Sequence, residues 1–239
     1  NPCHVDVVES DCVFMLDSLT KSFHWPSSSF TKIGDGTLVI DGDYGINGTT
    51  TVSGGSLIIN GNTGDLQSDG SRIAHGAYTV TAGTTFGGNG MINILSGSAL
   101  NVNNGTPNAT LAPGESVGAL TVNGDVDLDG TLAIEIDSSG ADQLIVNGLL
   151  DIDASTSILE ISLIDGYVPA GEETWTILDT SGGSLSGGFS AINTPSIGPF
   201  FTWNTDNLLT DGTVTLEVPE PASITLLGLA TLSLLRRRR

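Results

Sequence analysis

The densest group of acidic residues that could bind a metal lies at residues 125–130, which read Asp-Val-Asp-Leu-Asp-Gly. Asp125, Asp127 and Asp129 match positions 1, 3 and 5 of an EF-hand loop, with its glycine at position 6. The bidentate glutamate of position 12 is missing, because Ile136 stands there. The alternation of acidic and apolar residues also fits a strand with its carboxylates in water. Weak extracellular calcium binding and a solvated acidic face therefore both stay open.

Candidates for catalysis are few in this chain. His75 is the one histidine in its repetitive part, and we expect it in a surface loop beside Gly76. No Gly-x-Ser-x-Gly or other nucleophile signature accompanies it. Pairs of carboxylates say little about glycosidase chemistry in a chain with 27 acidic residues. The sequence predicts a protein that is not an enzyme and that has no cofactor.

The charge of the chain excludes one class of partner. Residues 1–235 carry 27 acidic side chains and three basic ones, Lys21, Lys32 and Arg72, for a formal charge of −24; the four terminal arginines bring the whole chain to −20. A polyanion of this size repels nucleic acid and anionic lipid. We expect no nucleic-acid partner, and the acidic surface suits a hydrated, extracellular setting.

The two cysteines, Cys3 and Cys12, both lie in the first dozen residues. In an exported protein they could pair and close a small loop. Two free thiols in a poorly ordered terminus are the other interpretation, and the sequence does not decide between them. The cysteine and histidine spacings do not match a zinc site.

The last 21 residues divide into three parts. Pro219, Glu220 and Pro221 exclude a helix, residues 222–235 form an uncharged apolar run, and Arg236, Arg237, Arg238 and Arg239 close the chain. As a single short helix the apolar run would reach about 21 Å, less than the ~30 Å hydrocarbon layer of a bilayer. Clustered arginines resist translocation. This order predicts a temporary membrane anchor with the body of the protein outside.

From residue 33 onward the chain repeats a short unit. The unit is Gly-x-Leu-x-Val/Ile followed by Asn-Gly or Asp-Gly, as at residues 36–42, 55–61 and 118–124. Each copy predicts a short strand that ends in a tight turn. Spacings of 19 residues (Leu38 to Leu57) and 20 residues (Leu100 to Leu120) indicate stacked coils, with further rungs at 78–80 and 91–94. A β-sandwich is the alternative.

The predicted fold is all-β: a right-handed parallel β-solenoid with a hairpin-like C-terminal cap, followed by the short hydrophobic helix. The cap is predicted from Leu120, Leu132 and Leu144, whose 12-residue spacing favours antiparallel hairpins. Aromatic residues at 200–203 predict a hydrophobic end plug, with a sugar-stacking platform as the alternative. We divide the chain into an irregular segment (1–32), a Gly/Asn-rich solenoid-like domain (33–218) and a terminal signal (219–239).

The three-part terminus resembles the PEP-CTERM sorting signal. The resemblance implies export from a Gram-negative-type bacterium, recognition by a membrane protease called exosortase, and removal of the helix near Pro219–Pro221. It also implies transient insertion in the inner membrane, followed by a cell-surface or extracellular location. An exported chain needs an N-terminal signal as well. Because this one begins with Asn1 and shows none, we expect a fragment or a processed chain.

Residues 36–190 resemble autotransporter-associated β-strand repeats, in runs such as 50–57 and 110–122. That family implies passenger-type surface proteins with right-handed β-helices. The leading hypothesis is an exported structural or adhesive protein associated with extracellular polysaccharide or biofilm. A carbohydrate-active β-helix enzyme, either a polysaccharide lyase or a glycoside hydrolase, is one alternative. A calcium-dependent adhesion module is another.

Overall fold

A computed structural model describes residues 3–6, 13–16, 23–25, 29–46, 48–66, 72–199 and 201–218. Among these residues there are strands, turns and bends and no helix. The strands, numbered β1 to β28 in chain order, are Cys3–Asp6, Val13–Leu16, Phe23–Trp25, Phe30–Ile33, Thr37–Ile40, Tyr44–Ile46, Thr50–Val52, Ser56–Ile59, Asp65–Leu66, Arg72–Ile73, Tyr78–Val80, Thr85–Gly88, Met91–Asn93, Ala99–Val102, Thr110–Pro113, Ala119–Asn123, Asp125–Leu128, Thr131–Asp137, Gly140–Ala141, Gln143–Val146, Leu149–Ile152, Ile158–Leu163, Glu173–Thr176, Leu178–Asp179, Ser184–Gly187, Ala191–Asn193, Thr202–Asn204 and Thr213–Glu217.

Most strands belong to three parallel sheets. The first has the order β1-β4-β7-β11-β14-β17-β21-β25, the second β2-β5-β8-β12-β15-β18-β22-β26, and the third β13-β16-β20-β24. The chain visits the sheets in turn and then returns to the first. This all-β arrangement of parallel sheets is consistent with a β-solenoid, and it excludes the antiparallel β-sandwich.

The coils differ in length. In the first sheet Phe30 pairs with Thr50 and Thr50 pairs with Tyr78, so that two successive coils take 20 and 28 residues. Further along, Asp127 pairs with Asp151, a coil of 24 residues. The predicted repeat of about 20 residues therefore holds only for the shorter coils. Turns between strands can lengthen without disturbing the register, because each coil contacts only its neighbours.

The 12-residue leucine spacing does not mark hairpins. Leu120 and Leu144 pair side by side in the third parallel sheet, while Leu132 lies in the second sheet. The prediction of antiparallel strands at these positions is wrong. Strands of the second and third sheets carry the same sequence pattern, so the leucine spacing runs across two sheets and does not give the distance between paired strands. The antiparallel cap comes later, in a sheet with the order β23-β28-β27.

The core is a stack of aligned apolar side chains. In the second sheet one column consists of residues that pair directly from coil to coil and are 0% exposed: Leu57, Phe86, Leu111, Leu132 and Leu159. Each fully buried side chain of this size contributes about 1.5–3 kcal/mol of transfer free energy. The alternation of apolar residues in each strand therefore sets which face is inward.

Glycine is required at one contact between neighbouring coils. Gly55 has a φ of +56°, in the left-handed region. A Cβ at this position would lie 2.2 Å from the carbonyl oxygen of Gly36 on the preceding coil. Only glycine lets the two turns approach this closely, which explains why the copy of the unit at 55–61 begins with it.

Asparagine side chains form a ladder along the outer edge of the third sheet. The Nδ2 of Asn123 donates to Oδ1 of Asn93 at 2.8 Å, and the Nδ2 of Asn147 donates to Oδ1 of Asn123 at 2.7 Å. The backbone N–H of Asn93 donates to Oγ1 of Thr63 at 2.8 Å. The asparagines of the Asn-Gly pairs at 123 and 147 therefore also connect successive coils.

Replacing Asn123 with alanine is expected to lower the free energy of unfolding by about 1–2 kcal/mol, because two side-chain hydrogen bonds disappear at once. Asn147→Ala removes the Asn147-to-Asn123 bond alone and should cost roughly half as much. Urea denaturation of the two variants measures both values. If Asn123→Ala unfolds at the same urea concentration as the native chain, the ladder does not stabilise the fold.

Three described strands lie within residues 1–32. Cys3–Asp6 pairs with β4, Val13–Leu16 with β5 and Phe23–Trp25 with β6, all in parallel. They add one coil to the stack. The division of the chain at residue 33 stays a prediction.

Candidate functional site at the C-terminal cap

The end of the body is closed by the antiparallel cap sheet, in which β28 is the central strand. Val214 and Leu216 of β28 are fully buried, and they pair with Trp175 and Trp203 of the flanking strands. The two indole rings lie 5.6 Å apart, and Nε1 of Trp203 donates to the carbonyl oxygen of Pro195 at 3.0 Å. Phe201 and Trp203 both pack against the core, as predicted for an aromatic end plug, while Phe200 of the predicted group lies outside the described residues.

The described part of the chain ends just beyond this central strand. The strand β28 ends at Glu217, and the next residue, Val218, is 41% exposed. The predicted processing residues Pro219, Glu220 and Pro221 lie outside the described residues, as do the predicted helix of 222–235 and the arginines 236–239. Val218 alone therefore separates the terminal segment at 219–239 from a strand that is paired on both sides.

Where the chain is described, it contains no helix that is long and apolar enough to cross a membrane.

The acidic run 125–128 forms a strand, β17, on the surface of the first sheet. Asp125 and Asp127 are exposed, while Val126 and Leu128 between them are buried. The predicted alternation is thus confirmed, and it places these two carboxylates in water. Asp127 stands beside Asp151 of the next coil, so that two acidic residues lie side by side on successive coils.

Asp129 follows β17 directly and lies near three other acids. Partial burial raises the pKa of Asp129, and the charges of Asp127, Asp153 and Asp151 raise it further. In the described part of the chain, no group of three or more His, Cys, Asp or Glu side chains is arranged to hold a metal ion. Calcium binding by Asp125, Asp127 and Asp129 stays a prediction.

His75 is buried, and its expected place in a surface loop is wrong. The residue is 0% exposed and forms a parallel bridge with Ile94, while its Nδ1 lies 3.5 Å from the hydroxyl oxygen of Tyr78. Its backbone N–H donates to Asn93 and its carbonyl accepts from Leu95. Gly76 lies in the short connection between this bridge and β11, and pairing with the next coil buries His75 before it.

Asp142 is a buried carboxylate that the sequence did not single out. It is 1% exposed, and its two oxygens accept the backbone N–H groups of Gly118 (2.9 Å) and Glu135 (2.8 Å). Burial raises the pKa of Asp142 to about 7, although the two hydrogen bonds oppose this shift. Every second side chain of the following strand, β20, points inward, including Leu144 and Val146, and position 142 continues that alternation. The alternation could therefore have predicted that Asp142 is buried.

Asp142 is expected to make the protein more stable at pH 4 than at pH 7. Its folded pKa of about 7 exceeds the ordinary 3.8, so the unfolded chain loses the proton first as the pH rises. Stability is therefore lost between about pH 4 and pH 7, by up to about 4 kcal/mol. Urea denaturation across this range measures the slope.

The matched variant is Asp142→Asn, which cannot ionise. Its stability should fall less steeply than that of the native chain over the same pH range. Equal slopes would show that Asp142 keeps an ordinary pKa.

Cys3 begins β1, whereas Cys12 lies outside the described residues. The disulfide between them stays a prediction.

Residues 217–239 match the family model of the PEP-CTERM protein-sorting motif. The match starts at the last residue of β28 and includes both prolines and all four terminal arginines. No curated protein matches the chain. The sorting motif is thus present where the sequence predicted it, whereas the resemblance of the body to autotransporter-associated repeats is unconfirmed.

Proposed function

We propose that this chain is an exported structural or adhesive protein of the cell surface or extracellular matrix, associated with polysaccharide or biofilm. The observation that carries the proposal is the sorting motif at 217–239, which begins at the last residue of β28, the central strand of the antiparallel cap. The motif implies export and recognition by exosortase. The adhesive role rests on the composition and charge of the body.

The outer surface of the body supports a structural role. In the first sheet Thr31, Thr51 and Thr79 stand in register on successive coils, and an asparagine and two aspartates continue the row. Stacked coils with polar outer faces form rigid, extended surfaces. Such a surface presents many hydroxyl and carboxylate groups at regular spacing to a hydrated matrix.

We propose that the body has no catalytic activity. His75 is enclosed beside Tyr78. Several surface carboxylates are engaged in turns. Asp137, Asp153 and Asp179 each have a lowered pKa, because the serine two residues later donates hydrogen bonds from its side chain and from its backbone N–H. A carboxylate with a lowered pKa is a poor general acid at neutral pH.

For the tail we propose transient insertion of residues 222–235 into the inner membrane of a Gram-negative-type cell, with residues 236–239 on the cytoplasmic side. Cleavage near Pro219–Pro221 then releases the body to the surface. We further propose a right-handed coil for the solenoid, because parallel strand crossovers are right-handed in nearly all proteins.

The test of the proposed role uses the mature protein recovered from the cell surface. It is sedimented with insoluble neutral and acidic polysaccharides, and the supernatants are assayed for new reducing ends and unsaturated sugars. Co-sedimentation without new products is the expected result. New products would establish the carbohydrate-active enzyme instead. If the protein neither binds a polysaccharide nor yields products, the proposed association with polysaccharide is wrong.

Calcium-dependent adhesion is a second candidate, favoured by the crowding of carboxylates around Asp129. Millimolar calcium should then raise the melting temperature, since extracellular calcium modules bind at about 10⁻⁴–10⁻³ M. The rise should shrink in Asp129→Asn and persist in Asp206→Asn, an exposed acid of the cap. An unchanged melting temperature of the native chain removes this candidate.

A further inference from the structure

A cleft of about 480 Å³ opens between the last coil and the turn that leads into β28. Its apolar floor consists of leucines from both sides: Leu178 and Leu208 are buried, Leu185 is partly buried, and Leu209 is 42% exposed. The volume lies in the range of small-molecule sites in proteins, which is about 300–1,000 Å³. An exposed leucine at the mouth of a cleft is available to contact an apolar face of a ligand.

The walls of this cleft are held in place by backbone contacts. The carbonyl oxygen of Gly212 accepts the N–H groups of Ile177 (2.9 Å) and Leu178 (3.1 Å). Gly212 has a φ of +71°, and a Cβ there would lie 1.8 Å from the carbonyl oxygen of Leu178. Only glycine permits this approach, so the turn and the coil keep a fixed separation and the cleft is preformed.

The polar groups around the cleft are hydroxyls and two carboxylates. Asp179 comes from the last coil and Asp211 from the turn, and the hydroxyls belong to Thr176, Thr180, Ser181 and Thr210. The lining residues include no lysine, arginine or histidine. The backbone N–H of Ser181 donates to Asp179 at 2.9 Å, which orients that carboxylate. The site therefore offers acceptors and negative charge above an apolar floor.

We propose that this cleft binds an amino-sugar unit of a polysaccharide. The carboxylates of Asp179 and Asp211 accept hydrogen bonds from the ammonium group, the hydroxyls bond those of the sugar, and the leucines contact its C–H face. Uronic acids are repelled by a body whose residues 1–235 carry a formal charge of −24. The inference rests on the proposed association with polysaccharide and names the sugar class.

The experiment titrates chitosan oligomers with free amino groups into the mature protein at physiological salt and measures the heat of binding. Binding is expected, and Asp211→Asn should weaken it about tenfold through the loss of one charge-assisted contact. Asp179→Asn should do the same. The control is Asp206→Asn, an exposed acid of the same turn that does not line the cleft, and it should change the affinity less than twofold.

Three outcomes would overturn the inference. Equal weakening by Asp206→Asn would show general attraction between a polyanion and a polycation. Equally tight binding of N-acetylated oligomers would show that the ammonium group is not recognised. If neither oligomer binds, the cleft is not a site for an amino sugar. If the protein still co-sediments with polysaccharide in the third case, only the sugar assignment fails and the proposed function stands.

Discussion

A chain that ends at Val218 is expected to keep the full melting temperature of the body, whereas one that ends at Gly212 should lose its C-terminal cap. The second truncation removes β28, the central strand of the cap sheet, and leaves β23 and β27 without a partner between them. It also removes the buried side chains of Val214 and Leu216. The transfer free energy lost is about 3–6 kcal/mol for these two residues. Calorimetry together with tryptophan fluorescence measures the loss.

Two point variants provide the matched control for this truncation. Val214→Asp places a charge at a fully buried position, while Thr215→Asp places it on the other face of the same strand. The first should unfold the cap and the second should cost less than about 1 kcal/mol. If truncation at Gly212 leaves the tryptophan signal and the melting temperature unchanged, β28 is not part of the folded body.

Replacing all four terminal arginines with serine is expected to abolish release of the processed protein. Without them the apolar run of 222–235 has no charges that resist translocation, so it is not held in the membrane where exosortase could act. Replacement by lysine keeps the charges and should preserve release. Immunoblots of membrane, surface and medium fractions measure the outcome. Normal release of the serine variant would show that the arginines are not needed.

The strands were predictable because their signals are local. The pairing of Leu38 with Leu57 and the inward direction of Val126 and Leu128 follow from a period of two and from glycine-containing turns. The partners of the later strands were not predictable in this way. Leu120 and Leu144 pair across a coil whose length is set by its turns, and sequence spacing alone does not show which sheet a strand joins.

Among the functional features, too, those encoded in one short segment were predictable and those formed by contacts between distant segments were not. The sorting motif is read as a linear segment, and its prediction from Pro219, Glu220 and Pro221 is confirmed by the match at 217–239. The burial of His75 and Asp142 depends on contacts with other coils. The cleft is lined by residues of the last coil and by residues about 30 positions later in the chain. A local sequence pattern does not predict that two such distant segments come into contact.

Processing at the C-terminus is the central claim, and mass spectrometry of the mature surface protein tests it most directly. The protein is recovered from cells that carry exosortase and from cells that lack it, and its C-terminal peptide is identified. The predicted result is a chain that ends near Pro219–Pro221 when exosortase is present and at Arg239 when it is absent. Recovery of intact Arg239 on the surface of cells with exosortase would contradict the account.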